Sequence, residues 1–591
     1  MGAMPREQGT SFRVWAPHAK TVCVTGSFND WSKTQNPLTK EESGYWSVDV
    51  REAKAGDEYR YVIGTTQGLL SRIDPYTRSV TNSVGNGVIY DPNVFDWEED
   101  HFQMVPGNEL VIYELHIGTF NVKESGHSGT FDSAIERLPY LRSLGINAIE
   151  VMPIAEFPTD FSWGYNPSHP FAVKSVYGGP NAFKRFVKEA HKQGIAVILD
   201  VVYNHLGPSD LDLWQFDGWS ENGKGGIYFY NDRRSQTPWG ETRPDYGRAE
   251  VRQYLLDNAL MWFEEYHVDG LRWDAVPYIF NINGEGPYSP DDIPEGWSLA
   301  QWLNDEIRKR YPDKISIAEG MRNNAWITNV TGAGGAGFNA QWDSEFVHPI
   351  RQAVIDPNDA SRDLAAVSRA IQYRYDLDFF RRVIFTESHD EVANGRERVP
   401  EEIWPGRVDS WFSKKRSTLG GALVLTSPGI PMIFQGQELL EDRWFQDRDP
   451  IDWSRETDEH GILAMYRDLI ALRRNLRGTT RGLSGQNIHV FHFNDKAKTI
   501  AFHRWDHQGA KDSVIVVANL TNQARDGYTI GFPRSGLWIT RFNSDSYSYD
   551  PKFANHHSPN VEATPGDYDG LPCSGKIGIG PYTVLIFSQD K

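Results

Sequence analysis

Hydrophobic and polar positions follow three patterns along the chain, and each predicts a different kind of structure. Within residues 10–90, apolar and polar residues alternate in short stretches between turn residues, which is typical of a small β-sandwich. The predicted strands of this region are 10–15, 21–25, 44–50 and 59–63. After about residue 485 the alternation returns and predicts a second β-sandwich with strands at 488–493, 499–505, 513–520 and 582–587.

Between these regions, apolar strand-like runs alternate with amphipathic helical patterns. The candidate strands are 111–117, 148–152, 196–202, 268–274, 315–319, 339–343, 383–388 and 431–434. Helical patterns fall between them at 134–144, 181–192, 250–266 and 299–310. Eight strands with intervening helices predict a (β/α)8 TIM barrel. We therefore expect a multidomain protein with an N-terminal β-sandwich at 1–100, a catalytic barrel at 101–480 and a C-terminal β-sandwich at 481–591.

Composition narrows the class of partner. The 591 residues include 60 basic and 79 acidic ones, a net charge of −19, which argues against nucleic-acid binding. No run approaches the roughly 18 apolar residues of a transmembrane helix, and residues 1–10 lack an apolar leader. The two cysteines, Cys23 and Cys573, are too few for a disulfide framework. We expect a cytoplasmic monomer that binds neither nucleic acid nor membranes.

Polar side chains cluster where the predicted barrel strands end. In a (β/α)8 barrel the functional side chains stand at the carboxyl ends of the strands. The third, fourth, fifth and seventh strands end in the polar residues Asp200, Asn204, His205, Arg272, Asp274, Glu319, His389 and Asp390. A single Asp could simply cap a helix. Four such sets at the same end of a barrel predict an active site.

Two of these carboxylates would suffice to hydrolyse or transfer a glycosyl group, and a separation of about 5 Å would select the retaining route. Arg272 points the same way as Asp274 in a strand and could keep that carboxylate ionised, which suits a nucleophile. Glu319 has no adjacent cation before Arg322 in the sequence, which suits an acid/base that must carry a proton.

Two other classes of protein are alternatives. A metal-dependent barrel hydrolase would draw its ligands from His116, Asp200, His205, Asp274 and His389, but it normally needs paired histidines on one strand end, which this chain lacks. A non-catalytic glucan-binding protein would be expected to have lost a catalytic carboxylate, whereas Asp274, Glu319 and Asp390 are all present.

Four segments resemble, in order, the four signature regions of the α-amylase superfamily, glycoside hydrolase family 13. They are 200–205 (DVVYNH), 270–274 (GLRWD), Glu319 and 388–390 (SHD). The resemblance implies that Asp274 is the nucleophile, that Glu319 is the general acid/base, and that Asp390 binds sugar hydroxyls and favours the distorted transition state. It also implies a set of substrate-binding side chains: Trp163, Tyr165, Asp200, His205, Arg272 and His389, with Tyr165 stacking under the sugar. It implies no cofactor, although the Asn matching Asn204 binds a structural calcium in many members.

Motifs outside the barrel core bear on the substrate and the reaction. The segments 12–17 (FRVWAP) and 26–31 (GSFNDW) resemble carbohydrate-binding module family 48, which implies an α-glucan polysaccharide or maltooligosaccharide as partner, or a structural spacer. The segments 163–165 and 177–180 are similar to maltooligosyltrehalose trehalohydrolases, but 320–322 (GMR) departs from them. The later segments 387–392, 434–438 and 447–453 are similar to 1,4-α-glucan branching enzymes.

The resemblance therefore favours a retaining transglycosylase of glycogen or starch metabolism that forms α-1,6 branches. An α-1,4-glucan hydrolase and a trehalohydrolase are the alternatives. All three share the first half-reaction and differ in whether water or a sugar hydroxyl resolves the intermediate.

The 20 tryptophans are more than a core requires. We expect those near the barrel mouth and in the N-terminal region to stack on glucan or shape its cleft: Trp15, Trp31, Trp46, Trp163, Trp214, Trp219 and Trp239. Trp262 lies on a predicted barrel helix and is expected in the core.

Overall fold

The computed structural model describes residues 1–286, 289–507 and 512–589. The chain divides into two compact units. The first unit comprises residues 1–103, 116–138 and 150–338, and the second comprises 104–115, 139–149 and 339–591. Among the described residues, no helix combines the length and apolar character needed to span a bilayer.

Eight parallel strands close into a barrel, which confirms the predicted fold. They are β1 (Ile112–Leu115), β2 (Ala148–Val151), β3 (Ala196–Val201), β4 (Gly270–Trp273), β5 (Ile315–Ala318), β6 (Ala340–Trp342), β7 (Arg382–Ile384) and β8 (Ile430–Phe434). Every residue in these strands is buried. Because both faces of a parallel sheet are covered, such strands are continuous apolar runs rather than alternating ones, and this made them recognisable in the sequence.

Helices follow or connect these strands. The α-helices are Ile117–Phe120, Phe131–Ile135, Leu138–Leu144, Gly179–Lys192, Ala249–Glu264, Pro277–Phe280, Pro294–Arg310, Ser344–Ile355, Leu364–Gln372, Val399–Ile403, Trp411–Thr426, Arg455–Asp458 and His460–Arg473. The single helix predicted at 134–144 is two helices. Pro139 is the second residue of the later helix, where its missing N–H removes no intrahelical hydrogen bond, whereas within one continuous helix it would remove one.

The N-terminal part of the first unit is a β-sandwich, as predicted. One antiparallel sheet has the order Gly2–Arg6, Gly9–Trp15, Tyr45–Val50, Thr39–Lys40. The other has the order Asn36–Pro37, Thr21–Gly26, Glu58–Gly64, Gly87–Val88, Ser79–Val80, with Leu69–Arg72 also on Glu58–Gly64. Phe12 from the first sheet meets Tyr59 from the second edge to face, with ring centroids 5.3 Å apart.

The C-terminal part of the second unit is all-β. Eight antiparallel strands follow the order Asn487–Asn494, Thr499–Trp505, Val514–Asn519, Thr583–Ser588, Gly536–Asn543, Val561–Tyr568, Leu571–Ile579, Arg525–Phe532. Buried side chains from these strands, including Phe532, Trp538 and Phe587, pack into one core. The sequence pattern predicted four of these strands and missed the four between 525 and 579.

The expectation for two N-terminal tryptophans was wrong. Trp15 and Trp46 are each only 6% exposed, and the Trp46 indole N–H donates to the Ala16 carbonyl oxygen at 3.0 Å. The Trp15 ring packs edge to face against Tyr228, with centroids 5.6 Å apart, and neither indole is available to glucan. Trp31 is 40% exposed, and Trp262 is buried as predicted.

Candidate active site

One guanidinium contacts three carboxylates at the carboxyl ends of β3, β4 and β5. Arg272 is fully buried, and its Nη1 lies 2.6 Å from Asp200 Oδ2 and 3.4 Å from Asp274 Oδ1. Its Nη2 lies 2.9 Å from Glu319 Oε2. Strand register produces this grouping, because Asp200 pairs with Arg272 across β3 and β4. The structure thus brings together four of the residues predicted from the strand ends.

The expected surroundings of Glu319 were wrong on one point, because Glu319 does have an adjacent cation. Trp273 pairs with Ala318, so Glu319 leaves β5 beside the end of β4 and reaches the Arg272 guanidinium. The Ala275 backbone N–H also donates to Glu319 Oε2 at 2.8 Å. The nearest cation, Arg272, belongs to the neighbouring strand, so the distance along the sequence to Arg322 could not predict it.

Asp274 is held by Asn204. The Asn204 Nδ2 donates to the Asp274 backbone oxygen at 2.9 Å and to its Oδ2 at 2.7 Å. The pKa of Asp274 is nevertheless raised well above its usual range, first by burial and then by the charge of Glu319. Arg272 and the Asn204 hydrogen bond oppose this rise without cancelling it. Arg272 thus acts on Asp274 in the predicted direction, by lowering its pKa, but this effect is smaller than those of burial and of Glu319.

The backbone next to Asp274 is strained. Ala275 has φ of 40°, in the left-handed region that disfavours residues with a Cβ atom. This conformation accompanies the bond from the Ala275 N–H to Glu319, so the backbone helps fix the spacing of the two carboxylates.

Tyr165 and His205 lie around the same cluster. The Tyr165 hydroxyl donates to Asp200 Oδ2 at 2.6 Å. The His205 ring is stacked on Trp239, with centroids 4.6 Å apart and planes 16° from parallel. Burial lowers the pKa of His205 to about 4, so the ring is neutral at physiological pH. Trp163 is half-buried two residues before Tyr165.

The contacts of Asn204 do not fit a calcium ligand. Its Nδ2 donates to Asp274, and its Oδ1, the atom that could bind calcium, lies 2.5 Å from His205 Nδ1. No group of three or more His, Cys, Asp or Glu side chains in the described part of the chain is arranged to hold a metal. His116, a ligand in the metal-hydrolase alternative, instead has its ring nitrogens beside Thr119 Oγ1 at 3.1 Å and the Ser162 carbonyl oxygen at 2.9 Å.

In the second unit, His389 and Asp390 lie beyond the end of β7. His389 Nδ1 lies 2.5 Å from Glu114 Oε1 on β1, and the His389 backbone N–H donates to the other Glu114 oxygen at 3.2 Å. Its Nε2 lies 3.6 Å from Asp390 Oδ2, and the Asp390 side chain is 46% exposed. Glu114 thus fixes the His389 ring, while the neighbouring Asp390 carboxylate is open to solvent.

Sequence reasoning missed Glu114 as a site residue. The signal was present, because Glu114 is a charged residue in the middle of an otherwise apolar buried strand. Burying a carboxylate without a partner is costly, so such a residue predicts a nearby donor.

A cavity of about 480 Å³ lies between the loops that follow β4 and β5 in the first unit. Its lining includes Pro277, three residues after Asp274, and Arg322, three residues after Glu319. The rings of Phe280, Trp297 and Trp326 also line it.

Comparisons with known proteins match the three regions of the chain. Residues 1–77 match the model of carbohydrate-binding module 48 (isoamylase N-terminal domain), residues 76–223 that of the alpha amylase catalytic domain, and residues 492–590 that of the alpha amylase C-terminal all-beta domain.

The curated relatives cover nearly the whole chain. The 1,4-alpha-glucan branching enzyme GlgB of Pseudoalteromonas atlantica is 31% identical over 98% of this chain and 82% of the relative. That of Bacillus caldolyticus is 31% identical over 98% of this chain and 87% of the relative.

Solved structures agree on the fold. A putative alpha amylase from Salmonella typhimurium has a TM-score of 0.73 at 23% identity, covering 100% of this chain and 99% of that one. A pullulanase from Anoxybacillus sp. LM18-11, complexed with maltotetraose, has a TM-score of 0.77 at 20% identity, covering 100% of this chain and 87% of that one. The full-length relatives at 31% identity and the three matching domains in order establish that this chain belongs to the α-amylase family, glycoside hydrolase family 13.

Proposed function

We propose that this protein is a retaining 1,4-α-glucan branching enzyme, which cleaves an α-1,4 linkage and transfers the released chain to a 6-hydroxyl. The observation that carries the proposal is the similarity to branching enzymes over 98% of the chain. The grouping of Asp200, Asp274 and Glu319 around Arg272 supports glycosyl chemistry at the barrel mouth.

In the proposed first half-reaction, an Asp274 oxygen attacks the anomeric carbon of the donor glucose. The glycosidic bond breaks, the electron pair goes to the leaving oxygen, and Glu319 gives that oxygen its proton. In the second half-reaction an acceptor hydroxyl attacks the same carbon, its proton returns to Glu319, and the ester bond to Asp274 breaks. Two inversions at one carbon retain the α configuration.

This cycle needs one proton on the pair formed by Asp274 and Glu319. Three carboxylates share the single Arg272 guanidinium, and burial raises the pKa of Asp274 further. Burial and the nearby negative charges disfavour full ionisation of this cluster, so they help it to keep a proton on Asp274 before substrate binds. The ester can form once that proton lies on Glu319 and Asp274 is ionised.

The remaining predicted residues would hold the sugar. We assign Asp390 to the hydroxyls of the donor glucose, since its carboxylate is exposed and lies beside the fixed His389 ring. His205 and His389 would contact sugar hydroxyls, and Tyr165 would stack under the ring while its own hydroxyl bonds to Asp200. Trp163 and Trp239 would form the wall beside them.

We further propose that the protein acts as a monomer on neutral α-glucan without a cofactor. Its cytoplasmic location stays a prediction. Treatment with EDTA followed by dialysis should change neither turnover nor melting temperature, and sedimentation should give a single species of 67.2 kDa. A calcium-restored loss of stability would overturn the cofactor proposal.

The deciding experiment incubates the protein with amylose and analyses the linkages. New α-1,6 linkages without loss of total glucan, detected by proton NMR and by debranching, are expected. Reducing sugar without new branches would instead indicate a hydrolase. Release of trehalose from maltooligosyltrehalose would indicate a trehalohydrolase. Products released initially as the β anomer would exclude the retaining route.

A further inference from the structure

Glu391 follows Asp390 directly in the chain and is a buried carboxylate outside the proposed catalytic steps. We propose that Glu391 is a positioning residue, which holds the loop 386–398 so that the Asp390 carboxylate faces the donor glucose. This assignment rests on the proposed role of Asp390 in glycosyl transfer. Glu391 itself would contact neither the sugar nor the reacting atoms.

The direction of the Asp390 side chain depends on the backbone that carries it. The side chain is 46% exposed, and His389 Nε2 lies 3.6 Å from its Oδ2, farther than a hydrogen bond reaches. On the amino-terminal side of Asp390, Glu114 fixes the ring and the backbone N–H of His389. A residue with one fixed neighbour can still rotate about its own backbone bonds, so the residue after Asp390 must also be held.

Glu391 supplies that second anchor. Its side chain is only 5% exposed, and its Oε1 lies 3.2 Å from His348 Nε2 on the helix Ser344–Ile355. Its Oε2 lies 2.5 Å from Arg396 Nη1, and its backbone N–H donates to Ser388 Oγ at 3.3 Å. One side chain thus ties the residue after Asp390 to a barrel helix and to a later part of its own loop.

The base of the loop is closed by contacts that do not involve Glu391. Arg398 Nη1 lies 3.0 Å from Glu387 Oε2, and both side chains are buried. The Val399 backbone N–H donates to Glu387 Oε1 at 2.7 Å. Since these contacts join the two ends of the loop, removal of the Glu391 side chain should displace the turn at Asp390 without unfolding the loop.

The partners of Glu391 keep it charged while they stay in contact with water. Burial raises the pKa of Glu391, but the hydrogen bond to His348 and the charge of Arg396 outweigh burial, so this pKa lies below its usual range. The His348 and Arg396 side chains are each 50% exposed. Truncation of Glu391 therefore turns neither partner into a buried, unpaired cation, and the loss of stability should be modest.

The test measures fluoride release from α-maltotriosyl fluoride by Glu391→Ala, by Asp390→Asn and by the double variant. Attack of an Asp274 oxygen on the anomeric carbon forms the ester and breaks the carbon–fluorine bond. Fluoride leaves with the electron pair and needs no proton, so the rate reports the donor side of the site alone. An activated donor of this kind also keeps slow variants measurable.

Asp506→Ala is the matched control, in the C-terminal β-domain. The Asp506 side chain is 16% exposed and, like Glu391, lies beside an arginine and a histidine. Its oxygens lie 3.0 Å from Arg481 Nε and 3.5 Å from His507 Nδ1, and both of these partners are more than half exposed. The control therefore removes a similar set of contacts far along the chain from Asp390.

Glu391→Ala should release fluoride about tenfold more slowly than the wild type, because a small displacement of a group that contacts the reacting sugar is costly. Asp506→Ala should match the wild type. In the Asp390→Asn background, Glu391→Ala should change the rate by less than about twofold, because a positioning residue has no effect once the group it positions is lost. Additive losses in the double variant, or an unchanged rate in Glu391→Ala, would overturn the proposal.

Failure of the branching proposal would be visible separately. Fluoride is released whether the maltotriosyl unit passes to water or to another sugar, so the rates do not depend on branching. If the wild type releases no fluoride, or if Asp390→Asn keeps the wild-type rate, crystal structures of the wild type and of Glu391→Ala decide the question. The Asp390 carboxylate should then be displaced by about 1 Å or more in Glu391→Ala, and an unmoved carboxylate would overturn the proposal.

Discussion

Glu319 Oε2 lies 2.9 Å from Arg272 Nη2, while Arg272 Nη1 lies 2.6 Å from Asp200 Oδ2. The fully buried, rigid guanidinium thus fixes the distance between Glu319, which is assigned as acid/base, and Asp200, which lies two strands away. Asp274 lies between them, 3.4 Å from Nη1. The geometry depends on both arms of the guanidinium, because a single point charge cannot hold three carboxylates at fixed positions.

Arg272→Lys should therefore lower turnover of amylose by roughly 10²–10³-fold, the range seen when one preorganised donor is removed from an active site. A shorter, unforked cation stabilises the Asp274 charge less, so the pKa of Asp274 should rise further. The acidic limb of the kcat/KM profile against pH should move to higher pH. Arg233→Lys, at a side chain that is 64% exposed, is the control and should change neither quantity. An unmoved acidic limb in a folded Arg272→Lys protein would contradict this role.

Asp274→Asn should abolish turnover by about 10⁴-fold, as expected for loss of a nucleophile, yet raise the melting temperature. The pKa of Asp274 is higher in the folded protein than in the unfolded chain, so its charged form costs stability above that pKa. A neutral amide removes this cost while its oxygen can still accept from Asn204. We expect a rise of about 2 °C at pH 7, which should shrink as the pH falls toward the ordinary Asp pKa of about 3.9. Calorimetry at pH 7 and at about pH 4 checks this, and a lower melting temperature at pH 7 would contradict it.

Glu319→Gln should lose activity selectively. Without the proton donor, cleavage of amylose should fall by about 10²–10⁴-fold, the usual contribution of a positioned general acid. Fluoride release from α-maltotriosyl fluoride should fall far less, because that leaving group needs no proton. The two rates can be measured on one preparation. Equal losses on both substrates would remove Glu319 from the acid role.

Glu114 is a positioning residue, since it contacts the His389 ring rather than substrate. Glu114→Gln keeps the size of the side chain but removes the charge that faces His389 Nδ1 at 2.5 Å. We expect kcat to fall by about 10–100-fold with a changed pH profile, similar to the loss of an outer partner that orients a site histidine. Glu438→Gln is the control, because Glu438 is equally buried in the same unit and accepts from Tyr113 and Tyr140. It should alter stability without moving the pH profile, and identical profiles for both variants would reduce Glu114 to a structural role.

The sequence predicted the barrel well because the barrel strands are buried on both faces and are short, mostly apolar runs. The strand Val561–Tyr568 was missed for the opposite reason. It is mostly exposed and contains Pro565 and Gly566, and its pairing with Gly536–Asn543 and Leu571–Ile579 makes it a strand. Strand formation of this kind depends on tertiary neighbours more than on local preference.

In the active site, too, the sequence predicted some features and missed others. The strand-end motifs predicted that Asp200, Arg272, Asp274 and Glu319 come together, because carboxyl ends of parallel strands share one edge. They could not predict that Arg272 bridges to Glu319, since that contact depends on the register of β4 with β5. Whether Asp390 joins the reaction stays a prediction, supported by its motif and its exposed carboxylate.

The His205–Trp239 stack supplies a last prediction. Burial lowers the pKa of His205 to about 4, so a neutral ring should be present throughout the pH range from 5 to 8. Trp239, itself 41% exposed, covers this ring, and Trp239→Ala would open it to water. Hydration favours the charged form, so the pKa of His205 should rise toward its usual value near 6.5. In NMR spectra of histidine-labelled protein, the resonance that disappears in His205→Gln belongs to His205. This resonance should not titrate above pH 5.5 in the wild type but should do so in Trp239→Ala. As a control, Trp404→Ala should leave it unchanged, because it removes an exposed ring elsewhere in the chain. If the resonance of Trp239→Ala stays flat, the nearby Arg243 charge, rather than the indole, keeps His205 neutral.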